Sequence, residues 1–200
     1  MNHDGHPGER AVRRSLREFL ALTQSDLSPA EYFGNSPGEE RTYFEYSEPR
    51  LIQTFMAIPD LSRSLTCLDI GTTPFTLFLK HAHPHYVVHT LDKEKTSRMA
   101  NRCLDCKIPR TICNLEDAAV PYDSGFFDVV VFTEVLEHLF APPSEVLAEI
   151  HRILKPDGKL IISVPNLASL VKRVRLALNY TPLQNPDIQL RGAGRGHLHE

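Results

Sequence analysis

The sequence predicts an α/β fold built on an open, doubly wound, mostly parallel sheet. Three observations carry that prediction. From Leu65 onward, short apolar runs alternate with helix-compatible segments, the pattern of a parallel sheet with helices on both faces. One run, Phe127-Asp-Val-Val-Val-Phe-Thr133, is nearly all apolar after its start, as expected of a central strand buried on both sides. The first run, Leu65–Ile70, breaks at Gly71 and passes into a helix-compatible stretch. That strand-turn-helix passage opens a ligand crevice at the carboxyl end of such a sheet.

Residues 1–60 read as an N-terminal helical extension. Ala11, Leu16, Phe19, Leu20 and Leu22 recur among basic residues, which predicts an amphipathic helix over Glu9–Gln24. A Ser-, Pro- and Gly-rich loop covers Ser25–Gly38. A second helix is expected over Phe44–Ile58, with Pro49 near its start or kinking it. The pair could pack on the sheet as an appendage, or serve as a lid or substrate platform.

Residues 61–166 read as the core. Strands are expected at Leu65–Ile70, Tyr86–Leu91, Arg110–Cys113, Phe127–Thr133 and Lys159–Val164. Helices are expected at Thr76–His81, Thr96–Cys103, Val135–Leu139 and Ser144–Leu154. In the last of these, Val146, Leu147, Ile150 and Leu154 form the apolar stripe, and Ser144 can cap the start. Lys155-Pro156-Asp157-Gly158 should turn the chain into the fifth strand. Residues 167–200 carry no strand signal: a helix is expected over Leu167–Tyr180, then a loop.

Composition excludes several classes. The 200 residues suffice for one buried core. The 42% hydrophobic and 24% charged fractions suit a globular domain, and a net charge of −3 gives no basic field for nucleic acid. No apolar run is long enough to span a bilayer, and the first residues lack the apolar core of a signal peptide. A cytoplasmic protein without membrane contact is expected. Among the four cysteines, Cys67 and Cys113 should be reduced core residues. Cys103-Leu-Asp-Cys106 has ligand spacing but no second pair to complete a zinc site. His81, His83, His85 and His89 are expected in a solvated turn.

The candidate site follows from spacing. Gly71 and Asp92 are 92 − 71 = 21 residues apart. About 20 residues separate a glycine turn from the carboxylate that grips a ribose diol. An ordinary strand-turn-helix with a capped second strand gives the same pattern. Thr73 and Phe75 stand where a dinucleotide loop has glycines, and Pro74 has no N–H to donate. That is a poor pyrophosphate cradle. A nucleoside cofactor without phosphates asks less of it, and S-adenosylmethionine is one.

Four blocks, in order, resemble the class I S-adenosylmethionine-dependent methyltransferases of the type 11/12 kind, over Leu65 to about Asn166. They are Leu68-Asp-Ile-Gly71; Asp92; Asn114-Leu-Glu-Asp117 with Pro121 to Val131; and Glu134-Val-Leu-Glu-His138-Leu with Leu154-Lys-Pro-Asp-Gly158 and Ser163-Val-Pro-Asn166. The resemblance implies a Rossmann-like methyltransferase fold and roles for single residues. Asp69, Gly71 and Thr73 would form the loop under the methionine part of the cofactor. Asp92 would bind the ribose, and Asn114 with Leu115 the adenine. Thr133 and Glu134 would line the cleft at the methyl group. Asp128 reads as structural, at the opposite end of the sheet. Two departures stand out. Thr73 and Phe75 each add a Cβ beside the expected cofactor. The two strands that usually follow the fifth have no counterpart, so the fifth strand should form an exposed edge.

On a helix, Glu134, Glu137 and His138 would share one face. Glu134 and His138 are the catalytic candidates, with His138 as base because imidazole titrates near neutrality. With His197 they could instead hold a divalent metal, an arrangement that resembles the site of small-RNA 2′-O-methyltransferases. The string is also similar to that of ubiquinone-pathway O-methyltransferases, and Glu137 and His138 could simply orient the loop without a metal. The acceptor implied is a small or glycan-like molecule, with RNA subordinate. Lys172, Arg173 and Arg175 would favour a phosphorylated acceptor, or form a solvated helix face. The reading from a different class is a non-catalytic methyltransferase-like module that binds a partner.

Overall fold

The structure is a computed structural model that describes residues 7–24, 37–93, 103–117, 119–166 and 170–178. Its elements, in chain order, are α1 (Pro7–Gln24), α2 (Pro37–Ala57), β1 (Thr66–Ile70), α3 (Pro74–Ala82), β2 (Val87–Asp92), β3 (Arg110–Ile112), β4 (Phe127–Thr133), a 3₁₀ turn (Leu136–His138), α4 (Pro143–Ile153), β5 (Leu154–Ser163) and α5 (Leu170–Ala177). The five strands form one sheet in the order β3-β2-β1-β4-β5. Every pairing is parallel.

The alternating side chains of β4 explain the two layers. Val129 and Val131 join Cys67 and Val88 in one core with Phe75 and Phe78 of α3, Leu16 and Phe19 of α1, and Ile52 of α2. Val130 and Phe132 join Leu68 and Leu91 in a second core with Val146, Ile150 and Ile153 of α4. A strand that feeds both cores must be apolar along its whole length, because side chains alternate between faces. The N-terminal helices dock by aromatic contact: the Phe19 and Phe55 rings lie 5.6 and 5.0 Å from the Phe78 ring.

Several local expectations are corrected. The start of α4 has Pro142 at its cap position with no side-chain bond, so Ser144 does not cap it. The segment 155–158 belongs to β5, which pairs with β4 through an irregularity between Phe127 and Val129. A Cβ on Gly158 would come within 2.9 Å of the Lys155 carbonyl oxygen, so this fold-back needs glycine. The histidine group is a solvated turn only in part: His81 and His85 are exposed, while His83 and His89 are not. His83 is buried and stacks between Phe55 and Tyr86, at 5.1 and 4.5 Å, and burial lowers its pKa. His89 lies in β2 against Tyr122 and Phe127, and burial lowers its pKa as well. The helix expected at Thr96–Cys103 falls almost wholly outside the described residues. Asp128 accepts hydrogen bonds from Thr66 N–H (2.9 Å) and Lys155 Nζ (2.8 Å), which fastens β4 at its amino end.

No described helix is long and apolar enough to cross a membrane. Among the described residues β5 is a sheet edge, and Ile162 on it and Val164 just beyond it are exposed.

Candidate functional site

Ligands of an open α/β sheet bind beyond the carboxyl ends of its strands, where the strand order reverses. Here that point lies between β1 and β4. Gly71 leaves β1 with φ +89°, a conformation that glycine adopts without penalty. A Cβ there would meet Val135 Cγ2 at an ordinary 3.5 Å, so the demand for glycine is conformational rather than steric. The Gly71 N–H donates to the Leu91 carbonyl at 2.9 Å, which ties the loop to β2.

Asp92 ends β2 directly below this loop. Its Oδ1 accepts the Thr72 N–H at 2.9 Å. Its Oδ2 accepts the Thr72 hydroxyl and Arg110 Nε, both at 2.5 Å. A carboxylate offers about four lone-pair sites. Among the described residues three are occupied, which leaves one for a ribose hydroxyl, and binding a second hydroxyl requires Thr72 or Arg110 to yield.

Thr73 and Phe75 do not narrow the crevice as the sequence suggested. Thr73 is the N-cap of α3: its hydroxyl accepts the Phe75 N–H, and its own N–H donates to Thr76 Oγ1 at 3.0 Å. Phe75 points into the first core. The cap makes Thr73→Ala a stability variant. A loss of about 1 kcal/mol is expected in denaturant unfolding, and an unchanged midpoint would show that the cap is immaterial.

Asp69 is fully buried at the end of β1 and accepts the Thr76 hydroxyl at 2.6 Å. Burial pushes its pKa up to about 7 from 3.8, with Thr76 opposing the shift. The folded-state value lies above the unfolded one, so the neutral acid is the form the fold favours. The stability it contributes is complete below pH 3.8 and is lost as pH rises through about 7. Asp69→Asn, which mimics the neutral acid, should therefore gain on wild type in melting temperature between pH 5 and pH 8. A displacement equal at both pH values would refute a neutral Asp69.

On the far side of the crevice, Asn114 folds its own loop. Its Nδ2 donates to Asp117 Oδ2 at 2.6 Å, and its Oδ1 accepts the Glu116 N–H at 3.3 Å. Leu115 packs on the second core. Glu116 accepts the N–H groups of Phe140 (2.5 Å) and Ala141 (3.2 Å) and pairs with Lys93 at 3.3 Å. These donors, Phe140 first, hold its pKa below the usual carboxylate value. Glu116 thereby fixes the loop after β4 against the loop after β3.

The segment after β4 differs most from expectation. Glu134 follows Thr133 with φ +56°, outside any helix, and only Leu136–His138 forms a 3₁₀ turn. The shared helical face of Glu134, Glu137 and His138 therefore does not exist. A glutamate in this conformation is uncommon, and such strain gathers at functional sites. Glu134 is held by its N–H to the Ser163 carbonyl (3.0 Å) and by the Ser163 hydroxyl to its Oε1 (2.9 Å). Arg50 Nε lies 4.0 Å from the same oxygen. Glu137 is mostly buried, while His138 faces solvent with Nε2 4.0 Å from Glu137 Oε1. Among the described residues no three His, Cys, Asp or Glu side chains converge as metal ligands. His197 lies outside the described residues.

Thr72, Arg110, Glu116, Ser163 and Arg50 all shape this site, although the sequence assigned no role to any of them, Glu116 and Ser163 appearing only inside the quoted blocks. Thr72 had a signal, a hydroxyl next to the turn glycine. Arg50 had none, since it sits 134 − 50 = 84 residues before its partner.

Residues 68–162 match the family model described as a methyltransferase domain. That span of the chain is similar to a methyltransferase domain. Its five-stranded core is the methyltransferase fold, and the matched span covers β1 through nearly all of β5. Among solved structures, the PH0226 protein from Pyrococcus horikoshii is 23% identical with a TM-score of 0.51, covering 76% of this chain and 65% of its own. A chain from the complex of the Haloferax volcanii Trm112 methyltransferase activator is 21% identical with a TM-score of 0.50, covering 64% of this chain and 56% of its own. Both show the shared fold. An uncharacterized 37.1 kDa protein of a Streptomyces fradiae transposon is 26% identical over a 137-residue alignment that covers 66% of this chain and 36% of that protein. The chain thus spans about a third of the length of that curated relative.

Proposed function

We propose that the chain is an S-adenosylmethionine-dependent methyltransferase acting on a small-molecule or glycan-like acceptor. The observation that carries this reading is the convergence of the Gly71 turn, Asp92 and the strained Glu134 at the strand-order reversal of a methyltransferase-family domain. The residues fit the cofactor. Gly71 and Thr72 form a turn that offers little to a pyrophosphate, and the acceptor site on Asp92 that the described residues leave open suits a ribose hydroxyl. Asn114, Leu115 and Glu116 would border the adenine.

When bound, S-adenosylmethionine supplies an electrophilic methyl group on a positively charged sulfur. The chain's task is alignment of a nucleophile and removal of its proton. Glu134 and Thr133, at the carboxyl end of β4, would position the acceptor. His138 would take the acceptor proton, and its exposure leaves its ring accessible. Glu137 beside it would orient the imidazole.

A second reading is favoured by the state of Asp92. Three donors from the chain itself already hold that carboxylate, as suits a methyltransferase-like module that binds a partner without cofactor. Calorimetric titration with S-adenosylhomocysteine separates the two. Saturable one-to-one binding supports the enzyme. No heat and no thermal stabilisation at millimolar ligand would sink it.

A further inference from the structure

We propose that the loop before β4 forms a second binding site, away from the methyl-transfer crevice, and that it takes an organic ammonium ion, a protonated amine on an apolar body. This goes beyond the methyl-transfer reading and does not depend on it.

The site is a cavity of about 380 Å³ lined by Val120, Pro121, Tyr122, Asp123 and Phe126. That volume falls in the range of small-molecule sites. It lies where the chain enters β4 at Phe127, whereas the crevice lies beyond Thr133 at the other end of that strand. The seven residues of β4 put roughly 20 Å between the two.

The walls are held by α4 and β3. The Val120 N–H donates to Glu149 Oε1 at 2.7 Å. Arg152 donates to the carbonyls of Val120 (2.9 Å) and Tyr122 (2.8 Å). The N–H groups of Gly125 and Phe126 donate to the carbonyls of Arg152 and Ile153, at 2.9 and 2.8 Å. The Tyr122 hydroxyl shares a 2.7 Å hydrogen bond with Thr111 of β3. A loop fastened on both sides of its cavity is pre-organised, so a ligand has little ordering to impose.

The lining is aromatic and anionic. The Tyr122 and Phe126 rings lie 5.5 Å apart, tilted by 32°, and Phe126 keeps 39% of its surface exposed. Ring faces attract a cation through their quadrupole. Asp123 adds a carboxylate beside them. Arg152 does not cancel it, because Glu149 already matches that guanidinium with bonds of 2.6 and 2.8 Å. Both rings also pack perpendicular to His89, each at 5.7 Å. Its Nδ1 is buried and has no hydrogen-bond partner among the described residues. Such an orphan is rare in a folded interior and calls for a partner from outside it. Burial lowers the His89 pKa, so at neutral pH the imidazole adds no opposing charge. An apolar body meets the two rings and Pro121, and a protonated amine meets Asp123.

The probe is benzylamine, protonated at neutral pH, and the readout is the NMR signal of the His89 ring, which touches both aromatic walls. Benzylamine should shift that signal saturably, with a Kd of about 1–10 mM for so small a ligand. Benzyl alcohol and benzoate, the neutral and anionic analogues, should bind at least ~5-fold more weakly. Asp123→Asn and Phe126→Ala should each weaken benzylamine by ~3–10-fold. Asp123 is exposed, so its variant keeps the test open even if Phe126→Ala fails in a thermal melt. No shift up to ~100 mM benzylamine would overturn the site. Equal binding of benzyl alcohol would overturn the ammonium class. Wild-type affinity in Asp123→Asn, or loss of the shift on adding S-adenosylhomocysteine, would show that the amine binds elsewhere and overturn the proposal too.

Discussion

Asp92→Ala is expected to weaken S-adenosylhomocysteine binding by about 1.5–3 kcal/mol, the size of a charge-assisted contact. The proposed role is acceptance of a ribose hydroxyl on the lone-pair site that Thr72 and Arg110 leave open. The variant also strips Arg110 of a neighbour at 2.5 Å and frees the Thr72 hydroxyl. Its effect therefore includes a looser loop, and Asp92→Asn is the control, since an amide keeps the shape and one acceptor. Calorimetry on both variants, with unfolding midpoints to show that each folds, measures the effect. An affinity equal to wild type in Asp92→Ala would remove Asp92 from the cofactor site and favour the partner-binding module.

His138→Ala is expected to cut turnover by ~10²–10⁴-fold with cofactor affinity little changed, as for the loss of a general base. His138 sits on the 3₁₀ turn after Glu134, facing solvent, with Glu137 packed beneath it. Its side chain is exposed, so a stability change on truncation should be small. Steady-state rates at saturating cofactor are the measurement. A variant that turns over within a few-fold of wild type would leave His138 as a surface residue and move the search for a base to Glu134. Activity that falls with a chelator and returns with a divalent ion would overturn the metal-free assignment instead.

Legibility in the sequence followed the range of the force involved. Strand order within each strand-helix unit, the buried status of Phe127–Thr133 and the turn at Gly71 were readable, because hydrophobic periodicity and glycine backbone freedom act over a few residues. Asp69 and Asp92 were found at the right strand ends for the same reason. The helix read across Val135–Leu139 failed because a polar triad at helical spacing looks the same whether or not the backbone is helical. Glu134 takes a left-handed conformation instead, anchored by Ser163 on the neighbouring strand. Thr73 looked like an intrusion into a glycine loop. It proved to be a cap, because Pro74 starts α3 at once and needs a hydroxyl before it.

The sequence by itself determined the fold class, the five strands and the resemblance that the Leu68–Ile162 match expresses. Only the tertiary structure decided what each polar side chain of the site touches. Arg110 reaches Asp92 because β3 pairs with β2 in a register that sets Thr90 opposite Arg110. Arg50 reaches Glu134 because α1 and α2 pack on α3, and not through any proximity along the chain. Apolar stripes are written locally. The partner of a long charged side chain is chosen by which elements that packing brings together, across separations where the sequence carries no periodic signal.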